Sequence, residues 1–392
     1  METQLADVGQ RIRESLGTRT QRALADAADI TPDALSRALN GARGFSLSEI
    51  TRIAQVLSVD VAWLITGAPD PHRVEFAARH AWDADTRQRS NPREADDAPL
   101  LDSIVALYRA AFPDAAPSSR ALPGNAAEVR AALGNDFVRR FAEVVEQNLD
   151  VDIVRIPDLS TAYSLRVGGR GVIVLNTAPN WFYSNWSLAH ELGHLALGHH
   201  DESGGRQKGE ATLDQHEREA NAFAADLLLP EDLMRAQPWA TMTLDQLSAF
   251  LWATGVSTKP LRYRIQNLRI AVATDVTSAL ESSTFDILRS AEAQLQPPLT
   301  NSRAIAERRQ QATAVRYPLA LVEALTTQVE RGAADPRMLA TVLTISVDDV
   351  FDTFDVPEEE SDEETAARLL SSPAQVPTTS ALSDWIAQHE RS

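Results

Sequence analysis

The sequence predicts a mostly helical α+β protein with more than one domain. Apolar residues recur at helical spacing along much of the chain, for example in LLDSIVALYRAAF and AAEVRAALGNDFVRRFAEVVEQNL. Three short segments, VDIVRIPDL, TAYSLRV and GVIVLN, instead have the pattern of β-strands, with a tight turn at VGGRG. A length of 392 residues suits two or three domains. We therefore expect a small β-sheet in a central domain, with all-helical regions before and after it.

Composition divides the chain into consecutive parts. Short helical patterns fill the first part, and the next is polar and contains prolines, as linkers do. A long ordered block follows, then further helical patterns, and last an acidic run, DVPEEESDEE, that is expected to be solvated. The predicted parts are an N-terminal helical domain at 1–69, a linker at 70–99, the central domain at 100–240, a helical pair at 241–270, a C-terminal helical region at 271–356, and an acidic linker and tail at 357–392.

Charge and composition narrow the classes of function. The formal net charge is −18, which argues against bulk coating of nucleic acid but leaves room for a DNA-binding module with a local basic face. The chain has no cysteine, which excludes disulfides, thiolate metal sites and cysteine nucleophiles. No apolar run approaches the roughly 20 residues that span a membrane, and the charged N-terminus lacks a secretory signal pattern. A cytoplasmic protein without membrane contact is expected.

The segment TQRALADAADITPDALSRALNG predicts two short amphipathic helices joined by a turn. Thr20 suits an N-cap, and Pro32 suits the first turn of the second helix. The apolar spacing comes from Leu24, Ala25, Ala28, Ile30, Leu35 and Leu39. Two more helical segments follow, LSEITRIAQVL and VAWLITG. Together these pieces, from about Leu5 to Gly67, resemble the XRE (phage-repressor type) helix-turn-helix family.

This resemblance implies a double-stranded DNA operator as partner, with a recognition helix from Pro32 to about Leu39 in the major groove. The side chains implied to meet base edges are Thr31, Asp33, Ser36, Arg37 and Asn40. Gln21 and Arg43 are implied to contact phosphates. A homodimer is expected, since readers of this type usually bind two half-sites. The alternative is a helical module for oligomerisation or for docking a protein.

The stretch WSLAHELGHLALGHH places His190, Glu191 and His194 in an otherwise apolar helix. Buried polar groups are costly unless something satisfies them. Two histidines four residues apart lie on one face of a helix and can bind one divalent cation. Glu191 lies beside them and can reach a metal-bound water as a general base. This is the HExxH arrangement.

A zinc site of this kind needs a third protein ligand, and without cysteine the choices are His, Asp or Glu. In the next predicted helix, HEREANAFAADLLLP, Glu217 shares the apolar face of Ala220 and Ala224. Glu219 lies about 200° further round that helix and is expected to point outward. Asn221 is expected to hydrogen-bond a ligating histidine. Two imidazoles and one carboxylate suit Zn²⁺, with Mn²⁺ as the alternative.

These segments, together with VSTKPLRYRIQNL, resemble the ImmA/IrrE metallopeptidase family over about Leu133 to Leu268. The resemblance implies a zincin-like fold for the central domain and a gluzincin-like zinc endopeptidase, with His190, His194 and Glu217 as ligands and Glu191 as base. It also implies a protein substrate, either a transcriptional repressor or the chain itself, in a stress, phage or mobile-element response. Single-stranded DNA is implied as a candidate activator.

The sequence does not assign a role to several side chains near these motifs. The oxyanion of the reaction is assigned to no single residue; the candidates are His199, His200, His216 and Tyr163, of which the three histidines are expected in loops or at the surface. The aromatic side chains before the motif are expected to cover the core: Trp181, Phe182, Tyr183 and Trp186. A substrate strand is expected to pair with a sheet edge near GVIVLN.

Different classes of function remain open at this point. The first is a DNA-binding regulator whose zinc endopeptidase cleaves a repressor or itself. The second is a non-proteolytic transcription factor whose metallopeptidase-like fold serves as a sensor or dimerisation module. In a third, the helix-turn-helix only docks the protein substrate. The helical pair at 241–270 is expected to support the protease core, with nucleic-acid sensing by Arg262, Arg264 and Arg269 as the alternative.

Overall fold

Helices dominate the structure, and a small β-sheet lies in the middle of the chain, as the sequence predicts. The computed structural model describes residues 2–57, 59–68, 70, 72–78, 81–83, 88–90, 93–200, 210–292, 299–354 and 356. The predicted acidic run, apart from Val356, and the predicted tail lie outside the described residues. Over the part that is described, no helix combines the length and the apolar character needed to cross a membrane.

The N-terminal region is a helical bundle with its own core. Its helices are α1 (Glu2–Ser15), α2 (Gln21–Ala27), α3 (Pro32–Leu39), α4 (Leu47–Leu57) and α5 (Val61–Thr66). Thr20 caps α2 by accepting a hydrogen bond from the Ala23 N–H, and Thr31 caps α3 in the same way. The predicted apolar residues are all buried in one cluster: Leu24, Ala25, Ala28, Ile30, Leu35 and Leu39. The two predicted helices and their turn are therefore confirmed.

The remainder of the described chain forms the sheet and the helices around it. The elements are β1 (Val74–Ala78), β2 (Ala81–Asp83), β3 (Gln88–Ser90), α6 (Glu94–Ala111), α7 (Ala126–Leu133), a 3₁₀ turn (Phe137–Arg140), α8 (Phe141–Leu149), β4 (Asp152–Ile156), β5 (Tyr163–Val167), β6 (Arg170–Asn176), α9 (Trp181–Ala196), α10 (Glu210–Leu228), α11 (Glu231–Arg235), α12 (Leu244–Thr254), α13 (Thr258–Asn267), α14 (Thr274–Ala279), α15 (Thr284–Glu292), α16 (Leu299–Thr313), α17 (Leu319–Glu330), α18 (Pro336–Leu343) and α19 (Val347–Thr353). The three predicted strands are β4, β5 and β6.

The sheet has the strand order β1-β5-β6-β4, and it has an apolar core on each face. β4 and β6 run parallel, whereas β1 and β6 are both antiparallel to β5. Side chains alternate between the faces along each strand. Val172 and Val174 of β6 pack with α6 and α17 to α19, while Ile173 and Leu175 pack with α7 to α10 and α12 to α14. The helices α9 and α10, which carry the HExxH motif and Glu217, therefore lie on the second face.

The stretch at 70–99, predicted as a linker, takes part in this fold. Val74 to Ala78 pair antiparallel with β5, and α6 begins at Glu94. Asp97 on α6 is fully buried and accepts hydrogen bonds from Ser160 and from the Tyr163 hydroxyl. An edge strand is held by backbone hydrogen bonds to its neighbour, whatever its own side chains are. The polar composition of this stretch therefore did not predict the strand.

The helices after α10 complete the two cores. Leu247 and Leu251 of α12 and Leu261 of α13 are buried in the same core as α9 and α10. Arg264 on α13 donates to the Leu229 carbonyl 2.9 Å away and pairs with Asp226, which ties α13 to the end of α10. These contacts favour the supporting role expected for 241–270.

The C-terminal helical region is equally part of the packing. α17, α18 and α19 cover the sheet face that α6 also covers. Arg316, just before α17, exchanges backbone hydrogen bonds with Arg155 of β4 and forms an ion pair with Glu146. The described helices of 271–356 thus extend the central domain, with α14 and α15 in one core and α17 to α19 in the other.

Candidate metal centre

The side chains of His190, His194 and Glu217 meet between α9 and α10. The Nε2 atoms of the two histidines lie 3.1 Å apart. The Glu217 carboxylate oxygens lie 3.4 Å from Nε2 of His190 and 3.7 Å from Nε2 of His194. The three residues are 0%, 2% and 1% exposed. One potential ligand atom from each lies within 4.8 Å of the other two, so the three residues could hold a metal ion.

This donor set fits a small divalent cation. Donor atoms placed about 2.0–2.1 Å from a tetrahedral zinc ion lie about 3.3 Å from one another. The measured separations of 3.1, 3.4 and 3.7 Å are close to that value. Burial, together with the neighbouring His190, holds the pKa of His194 well below its ordinary value. The His194 imidazole is therefore neutral at neutral pH, as a metal ligand must be.

A glycine allows the two helices to approach so closely. Gly193 lies within the motif on α9 and faces Phe223 on α10. A Cβ atom at Gly193 would lie 3.1 Å from the Phe223 side chain, which is tighter than ordinary van der Waals contact. The absence of that atom sets the spacing of α9 and α10, and this spacing brings Glu217 to the two histidines.

Glu191 lies on α9, is fully buried, and is hydrogen-bonded to a residue of the sheet. Its Oε2 accepts a hydrogen bond from the Ser164 hydroxyl at 3.0 Å. Ser164 lies on β5 between Tyr163 and Leu165, whose side chains face the other core. Ser164 is not among the site residues predicted from the sequence. Alternation along β5 puts its side chain on the face that α9 covers, but its contact with Glu191 depends on how the strand and the helix pack.

A chain of hydrogen bonds leads from His194 to the protein surface. Nδ1 of His194 lies 3.0 Å from Nδ1 of His199, and Nε2 of His199 lies 3.0 Å from Oε2 of Glu219. If each imidazole carries one proton, His194 donates through Nδ1 and His199 donates through Nε2 to the carboxylate. That assignment leaves Nε2 of His194 with its lone pair, directed at Glu217 and His190. Outer partners of this kind orient ligating histidines.

The end of α9 explains why His199 lies beneath His194. Gly198 has a φ of 69°, in the left-handed region. The N–H of His199 donates to the His194 carbonyl at 3.0 Å and the N–H of Gly198 to the Leu195 carbonyl at 3.4 Å, which is a Schellman C-cap. The turn brings His199 back toward His194, and its ring stacks on that of His216 of α10, with the ring centroids 4.1 Å apart. His199 and His200 lie in the loop after α9, as expected, but both are buried, each 5% exposed, whereas His216 lies on α10.

Other predicted neighbours of the site lie elsewhere. Asn221 does not reach a ligating histidine, because its amide donates to the Glu217 backbone carbonyl at 2.7 Å. It lines a cavity of about 620 Å³ between α9, α10 and α13, together with Tyr183 and Trp186. The Tyr163 hydroxyl donates to Asp97 at 2.7 Å on the far face of the sheet, which removes it as a stabiliser of the oxyanion.

The four aromatic side chains before the motif divide into two kinds. Trp181 and Phe182 are buried and contact Phe285, as expected for residues that cover a core. Tyr183, which is 42% exposed, and Trp186, which is partly buried, line the cavity beside Asn221. Glu219 points outward, in the direction expected from the helical angle, with 44% of its side chain exposed.

The predicted DNA-contacting residues lie mostly on the exposed side of α3. Arg37 and Asp33 are solvent-exposed and pair at 3.3 Å, Ser36 is half-buried, and Asn40 accepts a hydrogen bond from Arg13. Gln21 is exposed at the start of α2, and Thr31 is exposed with its hydroxyl oxygen capping α3. Ala38 and Leu39 point inward, so the apolar character of α3 belongs to its buried side.

Arg43 differs from this group because its guanidinium is bound within the domain. It donates to the backbone carbonyls of Ala34 and Gly44, and it makes a two-point ion pair with Glu49, at 3.0 and 2.7 Å. Hydrogen bonds from Arg43 lower the pKa of Glu49 to about 2. Arg43 thus braces the loop that follows α3, a role that the sequence did not predict.

Comparison with family models finds the same two domains. Residues 10–64 match a model described as helix-turn-helix, and residues 146–266 match a peptidase model described as IrrE N-terminal-like domain. The second match includes the whole HExxH motif and Glu217. It also runs past residue 240, the predicted end of the peptidase domain, and takes in α12 and most of α13. Comparison with curated proteins and with solved structures gave no match. The chain therefore joins an XRE-type helix-turn-helix domain to an IrrE-like peptidase domain, as its sequence predicts.

Proposed function

We propose that this protein is a DNA-binding regulator whose IrrE-like domain is a zinc-dependent endopeptidase that cleaves a transcriptional repressor or the chain itself. The observation that carries this proposal is the meeting of two imidazoles and one carboxylate in a buried site, with a second buried carboxylate, that of Glu191, on the residue that follows His190 in α9. His190, His194 and Glu217 would hold the ion, with Mn²⁺ as the alternative metal. A bound zinc ion would polarise the carbonyl group of the scissile peptide bond and lower the pKa of a water molecule to about 7.

Glu191 is the general base in this proposal. Its carboxylate takes a proton from the attacking water and later passes a proton to the leaving amine. Ser164 donates to Oε2 and thereby restricts the rotation of the carboxylate, so that Glu191 is held in one orientation beside the site. His199 and Glu219 keep the His194 ring in the tautomer that a metal requires.

The helix-turn-helix domain supplies the DNA-binding half of the proposal. The exposed side chains proposed to meet the operator are Gln21, Thr31, Asp33, Ser36, Arg37 and Asn40. Arg43 is proposed to contact a phosphate through the part of its guanidinium that remains accessible beside Glu49, since its side chain is 27% exposed. A homodimer on two half-sites and a role in a stress, phage or mobile-element response complete the proposal, with single-stranded DNA as the candidate activator.

Metal analysis of the purified full-length protein tests the site. We expect about one equivalent of zinc per chain in the wild type, loss of the metal in Glu217→Ala, and full metal content in Glu191→Gln. Glu231→Ala is the matched control, because Glu231 is exposed on α11 and pairs with Arg235. Retention of the metal by Glu217→Ala would contradict the ligand set.

Cleavage assays test the activity separately. The metal-loaded wild type should cleave a repressor partner or itself, and Glu191→Gln should not, although it binds the metal. If the wild type binds the metal but cleaves neither a candidate repressor nor itself, the non-proteolytic alternative gains support, in which the metallopeptidase-like fold serves as a sensor or dimerisation module.

A further inference from the structure

The strand that contacts the general base does not have an open edge. β1 covers β5 along its whole length, and Ala77 of β1 lies opposite Ser164 of β5. Ser164 is the residue that donates to Glu191. Opposed residues of antiparallel strands have Cα atoms about 4.5–5.5 Å apart. The backbone of β1 therefore passes directly beside the strand that positions Glu191.

β1 is supplied by the connector between the two domains. The last helix of the helix-turn-helix domain, α5, ends at Thr66, and β1 begins at Val74. The match to the IrrE-like domain begins at residue 146, so β4, β5 and β6 lie inside the matched region and β1 lies outside it. The covering strand therefore comes from outside the matched region.

The connector continues from the sheet toward the second helix of the site. β2 and β3 pair antiparallel, and β3 lies against α10, which carries Glu217. The described parts of the connector therefore contact β5 at one end and α10 at the other. β5 supplies Ser164, which donates to Glu191, and α10 supplies Glu217 of the candidate metal site.

The edge of β5 that β1 covers is where an external substrate would be expected to bind. An extended peptide binds a free sheet edge by backbone hydrogen bonds, and these are independent of its sequence. The edge near GVIVLN that the sequence suggested is closed, because β6 is paired with β5 on one side and with β4 on the other. The edge of β5 is the alternative next to Glu191, and the protein's own chain occupies it.

We propose that the connector strand β1 is an intramolecular substrate of the peptidase domain, cut in or beside Val74–Ala78. The inference rests on the proposed function. In the reaction, the oxygen of one water molecule bonds to a backbone carbonyl carbon, the C–N bond breaks, and the leaving nitrogen receives a proton, so that one chain and one water give a carboxylate and an amine. The cut separates the helix-turn-helix domain, which has its own core, from the peptidase domain.

Disulfide trapping tests whether β1 occupies this edge in solution, without any metal. The chain has no cysteine, and Glu75 lies opposite Arg166 in the β1–β5 pair. We expect the full-length variant Glu75→Cys/Arg166→Cys, free of metal, to close an intramolecular disulfide on mild oxidation, seen as the loss of two hydrogens in the intact mass. The single variant Glu75→Cys is the control. If the double variant does not close the bond within one chain, the proposal is overturned.

Cleavage mapping tests whether the strand is a substrate. Zinc is added to metal-free full-length protein, and the fragments are identified by intact mass. We expect one cut within Val74–Ala78 or at an end of that strand, with a first-order rate constant that does not change on dilution and with no product from Glu191→Gln. A rate that falls on dilution would show cleavage between molecules and would overturn the intramolecular assignment.

The remaining outcomes separate this inference from the proposed function. If the zinc-loaded protein cuts an added protein such as casein but leaves the connector intact, β1 is a covering strand, and the inference fails while the endopeptidase proposal stands. If the protein binds no zinc and cuts nothing, both fail. If it binds zinc and cuts neither the connector nor any protein offered, the inference is overturned and the non-proteolytic alternative is favoured.

Discussion

Nδ1 of His194 lies 3.0 Å from Nδ1 of His199, five residues further along the chain. Two imidazole nitrogens at this distance share one proton, so one of them donates and the other accepts. Because His199 in turn contacts the Glu219 carboxylate at 3.0 Å, the arrangement that satisfies all three groups places the proton on His194 Nδ1. The opposite nitrogen of His194 is then available to a metal ion.

Replacing His199 should therefore weaken metal binding without removing a ligand. We expect His199→Ala to raise the Kd for zinc about 10- to 100-fold, as the loss of outer partners of ligating histidines does. Glu219→Gln keeps an oxygen that can accept the hydrogen bond, so its effect should be smaller. Competition with a chromogenic chelator measures both values. A zinc affinity of His199→Ala equal to that of the wild type would contradict the assignment.

Gly193→Ala should loosen the contact between α9 and α10. The added methyl group would lie 3.1 Å from the Phe223 side chain, and inserting a methyl into a tight core typically costs about 1–3 kcal/mol. Urea unfolding of the metal-free protein measures this loss. Gly124→Ala is the matched control, since nothing lies within 4 Å of the added atom, and it should change the free energy of unfolding by less than about 0.5 kcal/mol. Equal effects of the two substitutions would contradict the packing argument.

The ion pair between Arg43 and Glu49 should make the stability of the helix-turn-helix domain depend on pH. The pKa of Glu49 falls from 4.5 to about 2 on folding. A carboxyl with a lowered pKa stabilises the folded state above its unfolded pKa, and this contribution is lost as the pH falls from about 4.5 to about 2. Calorimetry should show a lower Tm for Glu49→Gln than for the wild type at pH 6 and convergence of the two at the acid end.

Asp29→Asn is the control for that measurement. The Asp29 carboxylate pairs with Arg52 at 3.5 Å, and its side chain is 94% exposed. Exposed pairs of this kind contribute little to stability, so this variant should follow the wild-type curve throughout. A Tm difference between Glu49→Gln and the wild type that does not change with pH would contradict the assigned ion pair.

Arg37 and Arg43 should respond differently to removal, although both were predicted to contact DNA. Arg37 is exposed on α3, so Arg37→Ala should leave the Tm unchanged and weaken binding to a selected operator by about 1–3 kcal/mol. Arg43→Ala should lower the Tm, because it breaks the ion pair with Glu49. Fluorescence anisotropy with a duplex selected from a random library measures the binding. Loss of DNA affinity in Arg43→Ala at an unchanged Tm would reverse these assignments.

The site residues that a single helix determines could be predicted from the sequence. The contacts that form between segments distant in the chain could not. His190 and His194 follow from the helical repeat, and Glu217 follows from the apolar face of its helix. The partner of Glu191 depends on the pairing of β5, and the sequence of that strand does not single out a serine. His199 is an exception, because its position depends on the left-handed turn at Gly198, a local feature that the glycine in the sequence indicates.

The same limit applies elsewhere in the chain. β1 is a short edge strand, and its pairing with β5 is decided by the neighbour rather than by its own pattern. Arg43 and Glu49 face each other across a loop, and a motif that assigns Arg43 to phosphate does not contain that contact. The fold class, which rests on periodicity alone, was accessible from the sequence.

Ser164→Ala should slow cleavage while the metal stays bound. The Ser164 hydroxyl donates to Oε2 of Glu191 at 3.0 Å but is not one of the residues that could hold the ion. Loss of a hydrogen bond to a charged group corresponds to about 1.5–3 kcal/mol, so kcat should fall roughly 10- to 100-fold at unchanged zinc content. Ser164→Thr keeps the hydroxyl in a strand that accommodates a branched side chain, and it should recover most of the rate. Steady-state kinetics and metal analysis of the same preparations distinguish a role in positioning Glu191 from a role in metal binding. Loss of zinc from Ser164→Ala would show that the serine supports the metal site instead.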